Sequence, residues 1–152
     1  MSIDDEYALL SKLELFENLE PVQLKRLIFV SQRYQLQPDE YLFKQDDPMG
    51  QVFGIVKGEF LVLLQTANGE IEVARHGPGD MVGEMSVISG EPRSASIMAL
   101  TECEVIGFEK DLFISTVIND GPTALKMMQL LSERLLKQNR QLAQQSDGQY
   151  ST

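Results

Sequence analysis

Basic residues are scarce in this sequence, cysteine and histidine occur once each, and no apolar run is long. Thirteen Lys and Arg stand against 23 Asp and Glu, leaving a formal net charge of −10 and a pI near 4.5. Such a surface repels phosphate backbones, and no stripe of Lys or Arg is present to follow one, so direct nucleic-acid binding is not expected. A metal centre needs several ligands of the right kind, and a Ser-His-Asp or Cys-His nucleophile would have to be built on His76 alone. Neither a metal, a cofactor nor catalysis is expected, and His76, at the end of "VARHGPG", reads as a surface turn residue. Cys103 cannot close an intrachain disulfide and reads as a small strand residue, in keeping with a reducing compartment. Runs such as "FLVLL" fall short of the roughly 20 residues of a membrane helix. The acidic start "MSIDDEYALL" has neither the basic nor the apolar part of a signal peptide. The chain reads as cytoplasmic, with no membrane partner.

What is present is enough for one domain. The 152 residues, 43% hydrophobic and 24% charged, suit a single core. We read residues 1–145 as that domain and 146–152 as a polar tail. Two N-terminal helices are expected within 5–31: one from the spacing of Leu9, Leu10, Leu13 and Phe16, the next opened by Pro21 and carrying Leu24, Leu27 and Ile28. From 32 to 108 the pattern changes to short alternating runs, "YQLQ", "YLFK", "QVFGIVKG", "EFLVLLQT", "EIEVARHG", "SASIMAL" and "CEVIGF". These imply an all-β sandwich, jelly roll or barrel. Asn68-Gly69 predicts a hairpin with a type I′ turn. No internal repeat or low-complexity segment interrupts the succession.

Helical spacing returns over 109–145. "EKDLFISTVIND" forms one helix stopped near Gly121-Pro122, and "TALKMMQLLSERLLKQNRQLAQQ" a longer one. Ala124, Met128, Leu131, Leu135 and Leu142 recur at four and three, broken by Gln138, so this helix can pack on its own barrel, act as a lid over a pocket, or pair with a second copy. Met127 and Met128 read as core filling.

The chemistry concentrates in "GEMSVISGEPRSAS", Gly83 to Ser96. A short helix beginning near Glu84 presents free backbone N–H groups and a positive dipole end. Arg93, nine residues on, adds a permanent charge with a planar fork of donors that matches phosphate oxygens. Glu84 cannot serve a phosphate, but it can accept hydrogen bonds from hydroxyls. A phosphate and a hydroxyl held side by side suggest a small nucleotide.

With Gly-Glu, Pro-Arg and Ala-Ser at fixed spacing, this stretch resembles the phosphate-binding cassette of cyclic nucleotide-binding domains. It is most similar to the versions in bacterial cyclic-nucleotide-gated channels and protein kinase A regulatory subunits, which share the proline before the arginine. The resemblance covers nearly the whole chain. It implies an α+β, mainly β fold: an eight-stranded jelly-roll barrel flanked by N-terminal helices and two C-terminal helices, with the short cassette helix inserted. It further implies that Glu84 binds the ribose 2′-hydroxyl and Arg93 the exocyclic phosphate oxygens. Backbone amides of Gly83, Met85 and Ser86, with Ser94 and Ala95 beyond the arginine, would line the same seat. Ser94, after the arginine, influences cAMP against cGMP in such domains; cAMP is favoured here, with cGMP compatible. One departure stands out: Asp46 occupies the turn after the second strand where the family usually has glycine, and Asp tolerates the left-handed conformation better than most residues.

The expectation is a non-enzymatic cyclic-nucleotide sensor that signals through its C-terminal helices to an unidentified protein effector, since no helix-turn-helix, channel or kinase segment follows. The alternatives are an interaction or dimerisation module whose pocket is vestigial, and an excised sensory domain of a larger protein, against which Met1 and the polar tail argue.

Overall fold

The computed structural model describes the backbone of residues 3–150 and the side chains of 4–140, 143 and 144. Helix α1 (Ile3–Leu10), a 3-10 turn (Glu14–Phe16) and α2 (Pro21–Phe29) lead into strands β1 (Gln32–Leu36), β2 (Tyr41–Phe43), β3 (Val52–Lys57), β4 (Phe60–Thr66), β5 (Gly69–His76) and β6 (Met81–Val82). The cassette helix α3 (Glu84–Ser89) follows, then β7 (Ser96–Ala99), β8 (Cys103–Phe108), α4 (Lys110–Ile118) and α5 (Gly121–Tyr150). The mixed α+β fold is built on two antiparallel four-stranded sheets, ordered β1-β8-β3-β6 and β2-β7-β4-β5.

The alternation of side chains along β3 and β8 sets the layers. Phe53, Ile55, Cys103 and Val105 face the second sheet and pack with Phe60, Ile97 and Ala99. Val52, Ile106 and Phe108 face the helices and pack with Leu10, Leu13, Leu24, Leu27 and Phe113. The β3–β8 sheet is thus covered on both faces, which explains why its strands read as nearly continuous apolar runs. Phe16 meets Phe108 edge to face at 5.7 Å between ring centroids, fixing the 3-10 turn against the sheet.

Several expectations are corrected. The first helix ends at Leu10, and Leu13 reaches the core from the extended residue before a separate 3-10 turn and Phe16 from that turn. The two-residue strand β6, too short to show periodicity, was absent from the strand runs. The hairpin expected at Asn68-Gly69 forms, but Thr66 pairs with Gly69, so the loop residues are Ala67 and Asn68. Only Gly69 of the expected pair has positive φ, and Thr66 Oγ1 accepts from the Asn68 N–H, which gives the loop its own support in place of a type I′ turn. Asp46 adopts φ +73°, as its place in the turn required.

Helix α5 turns a different face to the barrel from the anticipated seam. Thr123 and Met127 are buried, Ala124 and Leu131 lie half-buried against the helix-side core, and Leu125, Met128, Leu135 and Leu136 are exposed. Met128, read as core, is 59% exposed because a step of one residue from Met127 rotates a side chain about 100° around the helix. Leu142, the last seam position, lies outside the residues whose side chains are described. The helix runs to Tyr150, five residues past its expected end at 145. Lys126 fastens its first half to the 3-10 turn through Glu14 at 3.0 Å and Glu17 at 3.2 Å.

Candidate functional site

Gly83 and Gly90 bracket α3, both left-handed, with φ of +85° and +77°. The two turns swing the segment out of the sheet after β6 and return it toward β7, placing Glu84, Ser86 and Val87 on the buried face of a six-residue helix. Met85 points outward and is 46% exposed, Ser94 is exposed, and Ala95 is half-buried.

Arg93 is only 4% exposed. Its Nη1 donates to the Gly83 carbonyl and to Ser86 Oγ, each at 3.0 Å, and its Nη2 to the Gln51 carbonyl at 2.8 Å. The guanidinium carbon stands 4.1 Å from the centroid of the Phe43 ring, a cation–π contact from β2. The backbone is clasped as well: the Arg93 N–H donates to the Asp47 carbonyl, and the Asp46 N–H to the Arg93 carbonyl. Burial pulls the Arg93 pKa below the usual arginine range, opposed by the nearby charges of Asp47 and Glu84. Nε is buried without a partner.

Glu84 is also 4% exposed. Its Oε1 accepts from Nη1 of Arg134, midway along α5, while Oε2 is buried with no hydrogen-bond partner. A carboxylate oxygen excluded from water and left unpaired is destabilising, and a donor supplied from outside the chain would relieve it. The structure therefore brings Gly83, Glu84, Ser86 and Arg93 into one contiguous cluster. Met85, Ser94 and Ala95 present no side-chain hydrogen bond to it.

Beside Glu84 lies a cavity of about 130 Å³ between the β5–β6 turn, the cassette and α5. Met127, Leu130 and Leu131 form its apolar wall, and Asp80, Glu84 and Arg134 its charged one. His76, expected on a surface turn, lines this cavity, because β5 continues through it and α5 passes over it. Its Nδ1 is 3.4 Å from Asp80 Oδ2, and its side chain is 20% exposed. The hydrogen bond with His76 holds the Asp80 carboxyl below the usual carboxylate range; burial opposes, while the Gly77 N–H and the charges of His76 and Arg134 add to the lowering.

Arg134 and Phe43 were not among the expected site residues. The signal for Arg134 is present in the sequence: it follows Met127, Leu130 and Leu131 at three and four, so it falls on the buried stripe of α5, where an arginine requires a carboxylate. Among the described residues, no cluster of three or more His, Cys, Asp or Glu could hold a metal, and no helix is long and apolar enough to cross a membrane.

A family model described as "Cyclic nucleotide-binding domain" matches residues 33–120. Among curated proteins, a "CRP-like cAMP-activated global transcriptional regulator" from Mycobacterium tuberculosis is 25% identical over 141 residues, covering 89% of this chain and 61% of its own length. Other curated relatives are far longer, and the chain spans as little as 5% of them. Among solved structures, a cyclic nucleotide-binding domain from Methylobacillus flagellatus KT superimposes with a TM-score of 0.79 at 26% identity, covering 93% of this chain and 85% of that one. The sensor domain of the transcriptional regulator DNR from Pseudomonas aeruginosa gives a TM-score of 0.80 at 24% identity, over 91% and 93% of the two chains.

Proposed function

This chain belongs to the cyclic nucleotide-binding domain family, and we propose that it is a non-enzymatic, cytoplasmic sensor of a cyclic nucleotide, cAMP in preference to cGMP, that signals through α5 to a protein effector. The observation that carries the reading is the state of Glu84, with one oxygen held by Arg134 of α5 and the other buried and unpaired. A ribose 2′-hydroxyl donating to Oε2 would satisfy the carboxylate and be felt at once by the arginine on the helix. Arg93 supplies the fixed positive charge for the cyclic phosphate, beside the backbone amides of Gly83, Met85, Ser86 and Ala95 and the exposed Ser94. The preference for cAMP is supported by the curated relative described as cAMP-activated. The jelly-roll description of the barrel is supported by strand orders in which β1 pairs with β8 and β2 with β7.

Signalling then requires that the ligand bind two arrangements of α5 with different affinity. Hydrogen–deuterium exchange with and without cAMP tests this. The expected result is altered protection in both the cassette, 83–96, and α5 around Arg134; a change confined to the cassette would remove α5 from the signalling path.

A second reading, pairing of two copies along α5, is favoured by one observation. Leu125, Met128 and Leu135 are exposed at steps of three and seven along a 30-residue helix, the spacing of a coiled-coil seam. Sedimentation equilibrium of the wild type and Leu135→Glu tests it: a dimer lost in the variant supports pairing, and a wild-type monomer contradicts it.

A further inference from the structure

Arg93 is held from an element outside the cassette. Strand β2 shifts register against β7 between Tyr41 and Phe43, a bulge that lets Leu42 and Phe43 both pack against the core between the sheets. The Phe43 ring lies 6.2 Å from that of Phe53, centroid to centroid, and Phe53 in turn meets Tyr34 of β1 at 5.9 Å, so the ring is itself braced. Over it stands the Arg93 guanidinium, its central carbon 4.1 Å from the ring centroid. The turn that follows β2 grips the same stretch by its backbone. The Arg93 N–H donates to the Asp47 carbonyl at 2.9 Å, the Asp46 N–H to the Arg93 carbonyl at 2.8 Å, and the Gln45 N–H to Ser96 Oγ at 2.8 Å.

A guanidinium carries five N–H hydrogens in one plane. Three are engaged within the chain: two from Nη1, to the Gly83 carbonyl and Ser86 Oγ, and one from Nη2, to the Gln51 carbonyl. The two that remain belong to Nε and Nη2, which share one edge of the fork and match two oxygens of a phosphate. Hydrogen bonds at the rim fix the group within its plane and leave its tilt soft. The contact with the Phe43 face fixes the tilt.

We propose that Phe43 is a positioning residue of the phosphate seat, its ring setting the tilt of the Arg93 guanidinium so that Nε and Nη2 meet the phosphate together. The proposal rests on the reading that Arg93 holds a cyclic phosphate, and it concerns how that same site is prepared. Without the ring, other orientations open to the guanidinium, and apparent affinity falls with the fraction left in the competent one. The hold is electrostatic as well as steric, because the negative face of an aromatic ring attracts the cation and an aliphatic side chain does not.

The test separates the ring's electrostatics from its bulk. Calorimetric cAMP affinities are compared for the wild type, for Phe43→Leu and for protein carrying a trifluorinated phenylalanine at position 43, which nearly keeps the shape and weakens the negative face. Phe43→Leu is expected to bind about fivefold more weakly, corresponding to about one-fifth occupancy of the competent orientation. The fluorinated ring should give part of that loss with urea unfolding showing the fold intact. In the ligand-free wild type, the Nε–H resonance of Arg93, identified by its disappearance in Arg93→Lys, should lie upfield of the other arginines through the ring current of Phe43. In Phe43→Leu it should return toward them. A Phe43→Leu variant that binds as tightly as the wild type, a fluorinated ring without effect, or an unshifted wild-type resonance overturns the proposal, and with cAMP still bound each leaves the nucleotide reading standing. A wild type that binds no cyclic nucleotide removes that reading and the proposal with it, even where the upfield resonance shows the stack to be formed. Should Phe43→Leu fail to fold, the fluorinated protein and the wild-type resonance decide.

Discussion

The guanidinium of Arg93 rests on the carbonyl of Gly83, Nη1 to oxygen at 3.0 Å, across the neck of the cassette, and Gly83 reaches that position only with φ at +85°. A Cβ added at Gly83 would stand 2.6 Å from Arg93 Nη1 and 3.2 Å from the Gln51 carbonyl oxygen. The glycine is therefore required twice, for its backbone and for the arginine it lets in. Gly90, at φ +77°, has nothing within 4 Å of an added Cβ.

That contrast makes the first prediction. Gly83→Ala and Gly90→Ala both incur left-handed strain of about 1–3 kcal/mol, but Gly83→Ala alone should also displace Arg93. Urea unfolding should show Gly83→Ala as clearly the less stable, and cAMP binding should be lost in it and retained in Gly90→Ala. Equal effects of the two would mean that Arg93 tolerates the displacement.

Arg93 also holds the unliganded protein together, joining Gln51, the residue before β3, with the cassette through Gly83 and Ser86. Arg93→Ala strands these acceptors and should cost about 1–3 kcal/mol of stability without any ligand. The loss in cAMP affinity, measured on protein shown to be folded, should be on the order of 2–5 kcal/mol. Unchanged stability in the apo variant would show the three hydrogen bonds to be replaceable by water.

Glu84 and Arg134 should behave as a unit. Arg134→Gln leaves a buried carboxylate without its cation, and Glu84→Gln keeps an acceptor oxygen but leaves the arginine without its counter-charge. The double variant should be more stable than the sum of the single effects implies, by about 0.5–3 kcal/mol in a double-mutant cycle. Additive effects would mean that the pair does not link the cassette to α5 in solution. Glu84→Ala is expected to weaken cAMP binding by about 1–3 kcal/mol, the loss of hydrogen bonds to a neutral hydroxyl.

At the start of α4, Glu109 accepts from the backbone N–H groups of Leu112 at 2.7 Å and Asp111 at 3.0 Å, which hold its carboxyl below the usual glutamate range. A folded-state pKa below the unfolded one contributes stability that is present above the ordinary range and lost as pH falls through the lowered value. Glu109→Ala should therefore lower stability by about 0.5–1 kcal/mol at pH 7, the lower part of the capping range because the cap is exposed. The gap to wild type should close in acid. A gap independent of pH would point to packing rather than capping.

Much of this was legible in the sequence because its signals are local. Gly83, Gly90 and Pro92 mark turns, Arg93 and Glu84 stand out as charges between small residues, and Pro21 begins a helix where expected, while Gly121, read as part of a stop, is the first residue of α5. What escaped depends on contacts between distant segments. Arg134 is 50 residues from Glu84, and nothing local distinguishes it from the other charges of α5 except its place on the apolar stripe. His76 reads as a turn residue until α5 is laid across the end of β5. The same helix shows the limit of periodicity: positions at four and three spacing define two neighbouring stripes, and only packing decides that Met127 goes inward and Met128 outward. Strand β6, two residues long, is held by its pairing with Phe53 and Gly54 rather than by any pattern of its own.

The central claim, that the cassette of this chain seats a cyclic nucleotide through Glu84 and Arg93, is tested most directly by isothermal titration of nucleotide-stripped protein with cAMP, cGMP and 2′-deoxy-cAMP. The account predicts saturable binding of one cAMP per chain in the micromolar range, about −8 kcal/mol, weaker binding of cGMP, and a loss for 2′-deoxy-cAMP that disappears in Glu84→Ala. Absence of heat together with no cAMP-dependent shift in melting temperature would contradict it and leave a cassette that keeps its form without its ligand.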